Sequence, residues 1–220
     1  MANTTEYLIG DLLVNFSQQV FDGAETNLPL YLNLYSGPMD VGGGDHPQTI
    51  ETVDIPLDTL EWFFAQLWRL DQLVSLDFYF LDHNNGSLID IYFDSEIELG
   101  TSSTVLGLAI PNRVSSDDPD NPYEGLWWEI FLNSPNLSTD EGQLRYALIH
   151  ELGHVLGLEH PFDDFDDDVW GTVNDGPDGD ITVMSYIPPA GSWPDFYSPL
   201  DRAALATIWG LDSDTADKWL

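Results

Sequence analysis

At 220 residues the chain is long enough for one ordinary domain or two small ones, and 43% hydrophobic residues with eight Trp can fill a core without covalent staples. The absence of Cys excludes a disulfide framework, a thiolate metal site and latency through a cysteine-to-metal bond. A formal charge of -34, from 39 Asp and Glu against five Lys and Arg, argues against nucleic acid or an anionic membrane surface as partner, because both need a basic face.

In chain order, the opening MANTTEYLIGDLLVNF has neither a basic start nor a small-residue cleavage site, so no signal peptide is visible, and no run is long and apolar enough for membrane insertion. Residues 30–35 read as a short strand. Residues 56–70, PLDTLEWFFAQLWRL, carry apolar side chains at helical spacing behind a Pro, and the helix they predict should pack on a sheet. Segments 74–81 and 88–93 flank Asn85-Gly86 and read as a hairpin or a neighbouring strand pair. Two more strands are expected at 105–110 and 126–132, a helix at 142–157, an Asp- and Gly-rich loop at 161–180, and a closing helix at 199–209 stopped by Gly210. With no repeat or linker, the chain reads as one mixed α/β domain.

The helix at 142–157 contains His150 and His154 at i and i+4, which puts both imidazoles on one face within reach of a single ion. His160 would leave that face if the helix continued. Gly157 can take the positive φ that ends a helix and turns the chain, bringing His160 back as a third ligand. Three neutral imidazoles bind zinc with the fourth position open to water, whose pKa the metal lowers, which is a catalytic arrangement rather than a structural one. Glu151, one residue after the first ligand, stands where a general base for that water belongs. The two other His, His46 and His83, fall in loop-like stretches and read as solvated.

Around these residues the chain resembles a known clan. HELGHVLGLEH, 150–160, matches the long zinc signature of the metzincin metallopeptidases at all five specified positions. TVMSY, 182–186, resembles the Met-turn that lies beneath the zinc, with Met184 as the Met. The following Ser185-Tyr186 is similar to the serralysin form, in which the Tyr is a further zinc ligand and a transition-state stabiliser. SPLDRAALATIWG, 198–210, resembles the closing helix of serralysins and matrixins, Asp201 aligning with the Asp that braces the Met-turn. VLGLAIPNR resembles the edge strand that pairs with substrate, and LWWEIFLN the strand before the active-site helix, so the likeness spans roughly 30–210. The glycine-rich calcium repeats of serralysins are not matched, Gly42-Gly43-Gly44-Asp45 being an isolated fragment, and the matrixin cysteine switch has no counterpart.

The resemblance implies a twisted five-stranded mixed sheet over the active-site helix in an N-terminal part, 1–160. A small C-terminal part, 161–220, would carry the Met-turn and closing helix. It implies a secreted, monomeric metalloendopeptidase that binds a protein or peptide as an extended strand along 105–110, with Glu151 as general base and acid and Tyr186 as its helper. The competing reading from another class is a catalytically inactive or calcium-dependent binding module that retains a zinc site; the intact Glu151 favours the enzyme.

A second metal expectation comes from charge crowding. Asp163, Asp164, Asp166, Asp167, Asp168, Asp175, Asp178 and Asp180 follow the third His with no Lys or Arg among them. Carboxylates held close repel one another. Calcium, which takes six to eight oxygens in flexible geometry, is the expected neutraliser, with Asp175, Asp178 and Asp180 beside Gly176 and Gly179 as its ligands. A solvated acidic loop is the alternative.

Overall fold

Central strands covered on both faces need apolar side chains at successive positions. Three segments meet that demand in the computed structural model, which describes residues 5–22, 27–42, 47–94, 105–113, 125–134, 140–164 and 169–213. They are β1 (Asn27–Leu32), β5 (Ile89–Asp94) and β7 (Leu126–Asn133). Leu28, Leu30, Leu32, Ile89, Ile91, Phe93, Trp128, Ile130 and Leu132 point into one core, while Tyr31, Tyr92 and Phe131, between them in sequence, form a second cluster on the opposite face. Gly43, Gly44, Asp45, His46, Asp166, Asp167 and Asp168 lie outside the described residues.

The domain is mixed α/β. Its sheet holds seven strands among the described residues. Five form a continuous run, β4 (Asp77–Leu81), β1, β5, β7 and β6 (Gly107–Arg113), in which the first four are parallel and β6 runs antiparallel to β7. The hairpin β2 (Gly37–Val41) and β3 (Gln48–Thr52) is an addition to the five strands expected, and joins the sheet where Thr52 meets Asp94. The expected pairing of 74–81 with 88–93 is corrected: β1 lies between them, and both strands pair with it in parallel. Asn85-Gly86 therefore sits in a connection and not in a hairpin.

Helices α2 (Leu57–Asp71), α3 (Glu141–Val155) and α4 (Pro199–Trp209) fall within a residue or two of their predicted positions. The structure adds α1 (Asp11–Phe21), where the sequence reading has no element. α3 packs against β6 and β7, with its N-terminus capped by Asp140, whose side chain accepts from the Gln143 N–H. α4 opens on a full capping box, Ser198 with Asp201. Both ends of the chain supply the main core, since Leu8 and Val20 share it with Val183, Met184, Phe196 and Leu205.

Candidate metal centre

α3 carries His150 and His154 one turn apart, and the helix stops at Val155. Gly157 then takes φ +93°, as the sequence reading required, and the chain turns back. The return is secured by backbone bonds from the Leu158 N–H to the Gly153 carbonyl at 2.9 Å and from the Glu159 N–H to the Leu8 carbonyl at 3.1 Å. His160 is thereby delivered to the other two rings. His160 Nε2 lies 3.2 Å from His150 Nε2 and 3.1 Å from His154 Nε2.

The outward nitrogens explain the inward ones. Nδ1–H of His150 donates to the Val183 carbonyl at 2.7 Å, that of His154 to the Leu158 carbonyl at 2.9 Å, and that of His160 to Asp163 Oδ2 at 2.8 Å. All three partners are oxygens that can only accept, so each Nδ1 holds the proton in the neutral ring and each Nε2 turns a lone pair to the centre. The lone pair on His160 Nε2 lies 3.1 to 3.2 Å from those of the other two rings, and the three repel unless a cation lies among them. Tetrahedral zinc with nitrogens at about 2.0–2.1 Å sets ligand atoms about 3.3–3.4 Å from one another, which both separations from His160 nearly meet, and all three ligand atoms lie within 4.8 Å of one another. Burial lowers the His150 pKa to about 3 and that of His154 well below its ordinary value, helped by the neighbouring rings, so both stay neutral and ready to ligate. The donor set therefore fits a divalent metal ion, and among the described residues it is the one group of three or more such side chains that converges.

Glu151 is 7% exposed and faces the same cleft. Burial pushes its carboxyl up to about 8, and a hydrogen bond with the Ala109 backbone on β6 pulls the other way. A cation at the three His would lower it further toward neutrality. Met184 is fully buried, and its sulfur would lie 2.6 Å from a Cβ at Gly153, so a larger residue at 153 would force the Met184 side chain to shift. Asp201, also fully buried, accepts from the Thr182 hydroxyl at 2.5 Å, the Val183 N–H at 3.1 Å and the Ser198 N–H at 2.8 Å. It thus fixes the turn whose Val183 carbonyl orients His150.

Tyr186 is half exposed beside the cluster, its ring 4.5 Å from that of His160 and 5.8 Å from that of His150. Burial, with Glu151 and Asp163 nearby, pushes its pKa to about 12, so the phenol keeps its proton and can donate. Phe162 stacks on His160 at 4.9 Å between centroids. Neither Phe162 nor Asp163 is singled out as an orienting group by the sequence reading, which counts Asp163 among the acidic crowd. A carboxylate three residues after a proposed ligand was the available signal.

The acidic loop behaves differently. Asp178 Oδ1 accepts from the Asp180 N–H at 3.1 Å, Asp180 Oδ2 accepts from the Ala190 N–H at 3.0 Å, and the Asp175 backbone pairs with Thr172. Asp175, Asp178 and Asp180 do not form a converging group. The structure brings the zinc candidates together and leaves the calcium candidates dispersed. His83 is exposed and lies 3.5 Å from Asp82, as expected of a solvated loop residue.

No protein-family model matches the chain, and no curated protein matches it. Among the described residues no helix is long and apolar enough to cross a membrane.

Proposed function

We propose that the chain is a zinc-dependent endopeptidase of the metzincin type. The observation that carries the reading is the inward convergence of three Nε2 lone pairs, each set by an oxygen on its Nδ1–H, beside the buried carboxylate of Glu151. Bound there, zinc supplies Lewis acidity for a peptide carbonyl and acidifies water in its open position.

The chain's own residues supply the rest. β6 pairs only with β7 among the described strands, so its outer edge is free to take an extended peptide as an added strand. Glu151 sits against Ala109 at that edge, placing its carboxylate beside the backbone such a peptide would present. It accepts the proton from the attacking water and returns it to the departing amine. Tyr186, protonated at neutral pH, donates to the oxygen on which charge develops. Cavities of about 410 Å³ and 320 Å³ flank the three His along the strand and give room for side chains on both sides of the cut bond.

Purified protein should contain near-equimolar zinc and cleave casein. A zinc chelator should abolish cleavage and added zinc restore it. Cleavage indifferent to the chelator, or none by fully zinc-loaded protein, overturns the reading.

A further inference from the structure

The cavity of about 320 Å³ is the one in which all three His meet an element outside the helix and strand that carry the proposed chemistry: Leu12 and Leu13 of α1 line it together with Leu108 and Pro111 of β6. Leu12 is 70% exposed. A single exposed Leu is ordinary on any surface. This one stands on the wall of the cavity that holds the metal centre, which is a costly place to leave apolar surface in water unless something covers it in use.

α1 is fastened to the turn between the second and third His and cannot be a loosely attached arm. The Gly10 N–H bonds the Gly157 carbonyl at 3.0 Å, Ile9 bridges Leu158, and Val14 packs on Gly157. Buried Ser17 donates to the Val155 carbonyl at 2.6 Å and accepts from Trp128 Nε1 at 3.2 Å, while Phe16 meets the edge of Trp128 at 5.1 Å. The helix thus holds Leu12 and Leu13 at a fixed position against the cleft. A peptide that pairs with β6 in the antiparallel sense, the more stable pairing per residue, lays its N-terminal half along the Leu108 to Pro111 end, opposite α1.

We propose that α1 is a wall of the substrate cleft: Leu12 and Leu13, with Leu108 and Pro111, form a subsite for one large apolar side chain on the N-terminal side of the cut bond. The inference rests on the peptidase reading for its orientation. The cavity's lining sharpens it, because no Lys or Arg stands among the described lining residues, so an acidic side chain finds no basic partner in the wall where an apolar one is held.

The test uses quenched fluorescent peptides carrying Leu, Ala or Asp in turn at each of the three positions before the cut bond. The zinc-loaded parent should prefer Leu over Ala by about tenfold in kcat/KM at one position, with Asp poorest. Leu12→Ala and Leu12→Asp should collapse that ratio to about twofold or less at this position alone, leaving the ratios at the other two as they are. Because Leu12 is exposed, both variants should fold, and circular dichroism checks it. A parallel arm measures binding of the same labelled peptides to Glu151→Gln protein, with and without Leu12→Asp. Cleavage with a Leu-to-Ala ratio that ignores Leu12 overturns the subsite and spares the peptidase. Leu12-dependent binding by a protein that cleaves nothing keeps the subsite and overturns the peptidase. Neither cleavage nor Leu12-dependent binding overturns both.

Discussion

Glu151 on α3 and Asp90 on β5 are buried carboxyls on opposite faces of one sheet, and removal from water pushes them up to about 8 and about 7. By burial and titration alone they are indistinguishable. Their neighbours separate them. Asp90 accepts from the Ser87 hydroxyl and, at 3.3 Å, from the Tyr92 hydroxyl, within a polar patch that contains Glu129 and Asn112. Glu151 has the Ala109 backbone on one side and open cleft on the other, next to three nitrogens stripped of protons. Asp90 also lines an open cavity, of about 600 Å³, so access does not separate the two; the converging His nitrogens beside Glu151 do, and a perturbed carboxyl marks a chemical site where such partners gather.

The comparison breaks first at the ligands. His154→Ala leaves two imidazoles, a far weaker site, and should lose nearly all zinc and with it all measurable turnover. Metal analysis of the purified variant decides it, and near-equimolar zinc would show the ligands to be misassigned. Glu151→Gln should keep the metal while turnover drops at least about 10²-fold, because only the proton acceptor is gone. Wild-type turnover would remove Glu151 from the chemistry. Asp163→Ala takes away the acceptor that holds His160 in its tautomer, and should weaken zinc about 10- to 100-fold in competition with a chromophoric chelator. An unchanged affinity would reduce the His160–Asp163 bond to a surface contact.

How much of this was legible in the sequence follows from how local each feature is. His150, His154 and the turn at Gly157 are encoded within eleven residues, by helical period and by the one residue type that readily takes φ +93°, so the ligand set could be read directly. α4 and β7 carry equally local signals. The parallel placement of β4 and β5 on either side of β1 depends on pairing between distant segments, which a strand's own pattern does not specify, and Asn85-Gly86 imitated a hairpin signal. α1 carries Leu13, Phe16 and Val20 at helical spacing, but its N-cap is Gly10 with no side-chain cap bond, so no start signal marks it in the sequence. Two of the three Nδ1 partners are backbone carbonyls, Val183 and Leu158, which no side-chain motif reveals. In the acidic loop Asp178 and Asp180 accept from local N–H groups, contacts that a count of carboxylates does not reveal.

The smallest expected effect lies on the outer face. Asp90 is faced by Glu129 from β7, Tyr31 from β1, Tyr92 on its own strand and Ser87 in the preceding connection, with burial as the main cause of its raised pKa and Glu129 adding to it. Because the folded protein holds this proton up to about pH 7 and the unfolded chain releases it near the ordinary carboxylate value of 3.8, stability falls as pH rises between those limits. The penalty is complete above the folded pKa. Asp90→Asn removes the ionisation while keeping groups that can accept from Ser87 and bond Tyr92. In chelator, where the metal centre contributes nothing, the Tm of the variant minus that of the parent should be smallest at and below the unfolded pKa of 3.8, widen steadily as pH rises from there to about 7, and level off above the folded pKa. Peptidase activity of the zinc-loaded variant should stay within about twofold of the parent, since Asp90 is across the sheet from the cleft. A Tm difference that stays flat from pH 5 to 8 would mean that Asp90 is ionised throughout and compensated within its patch. A large loss of activity would mean that the two carboxyls are not the separate cases their surroundings make them.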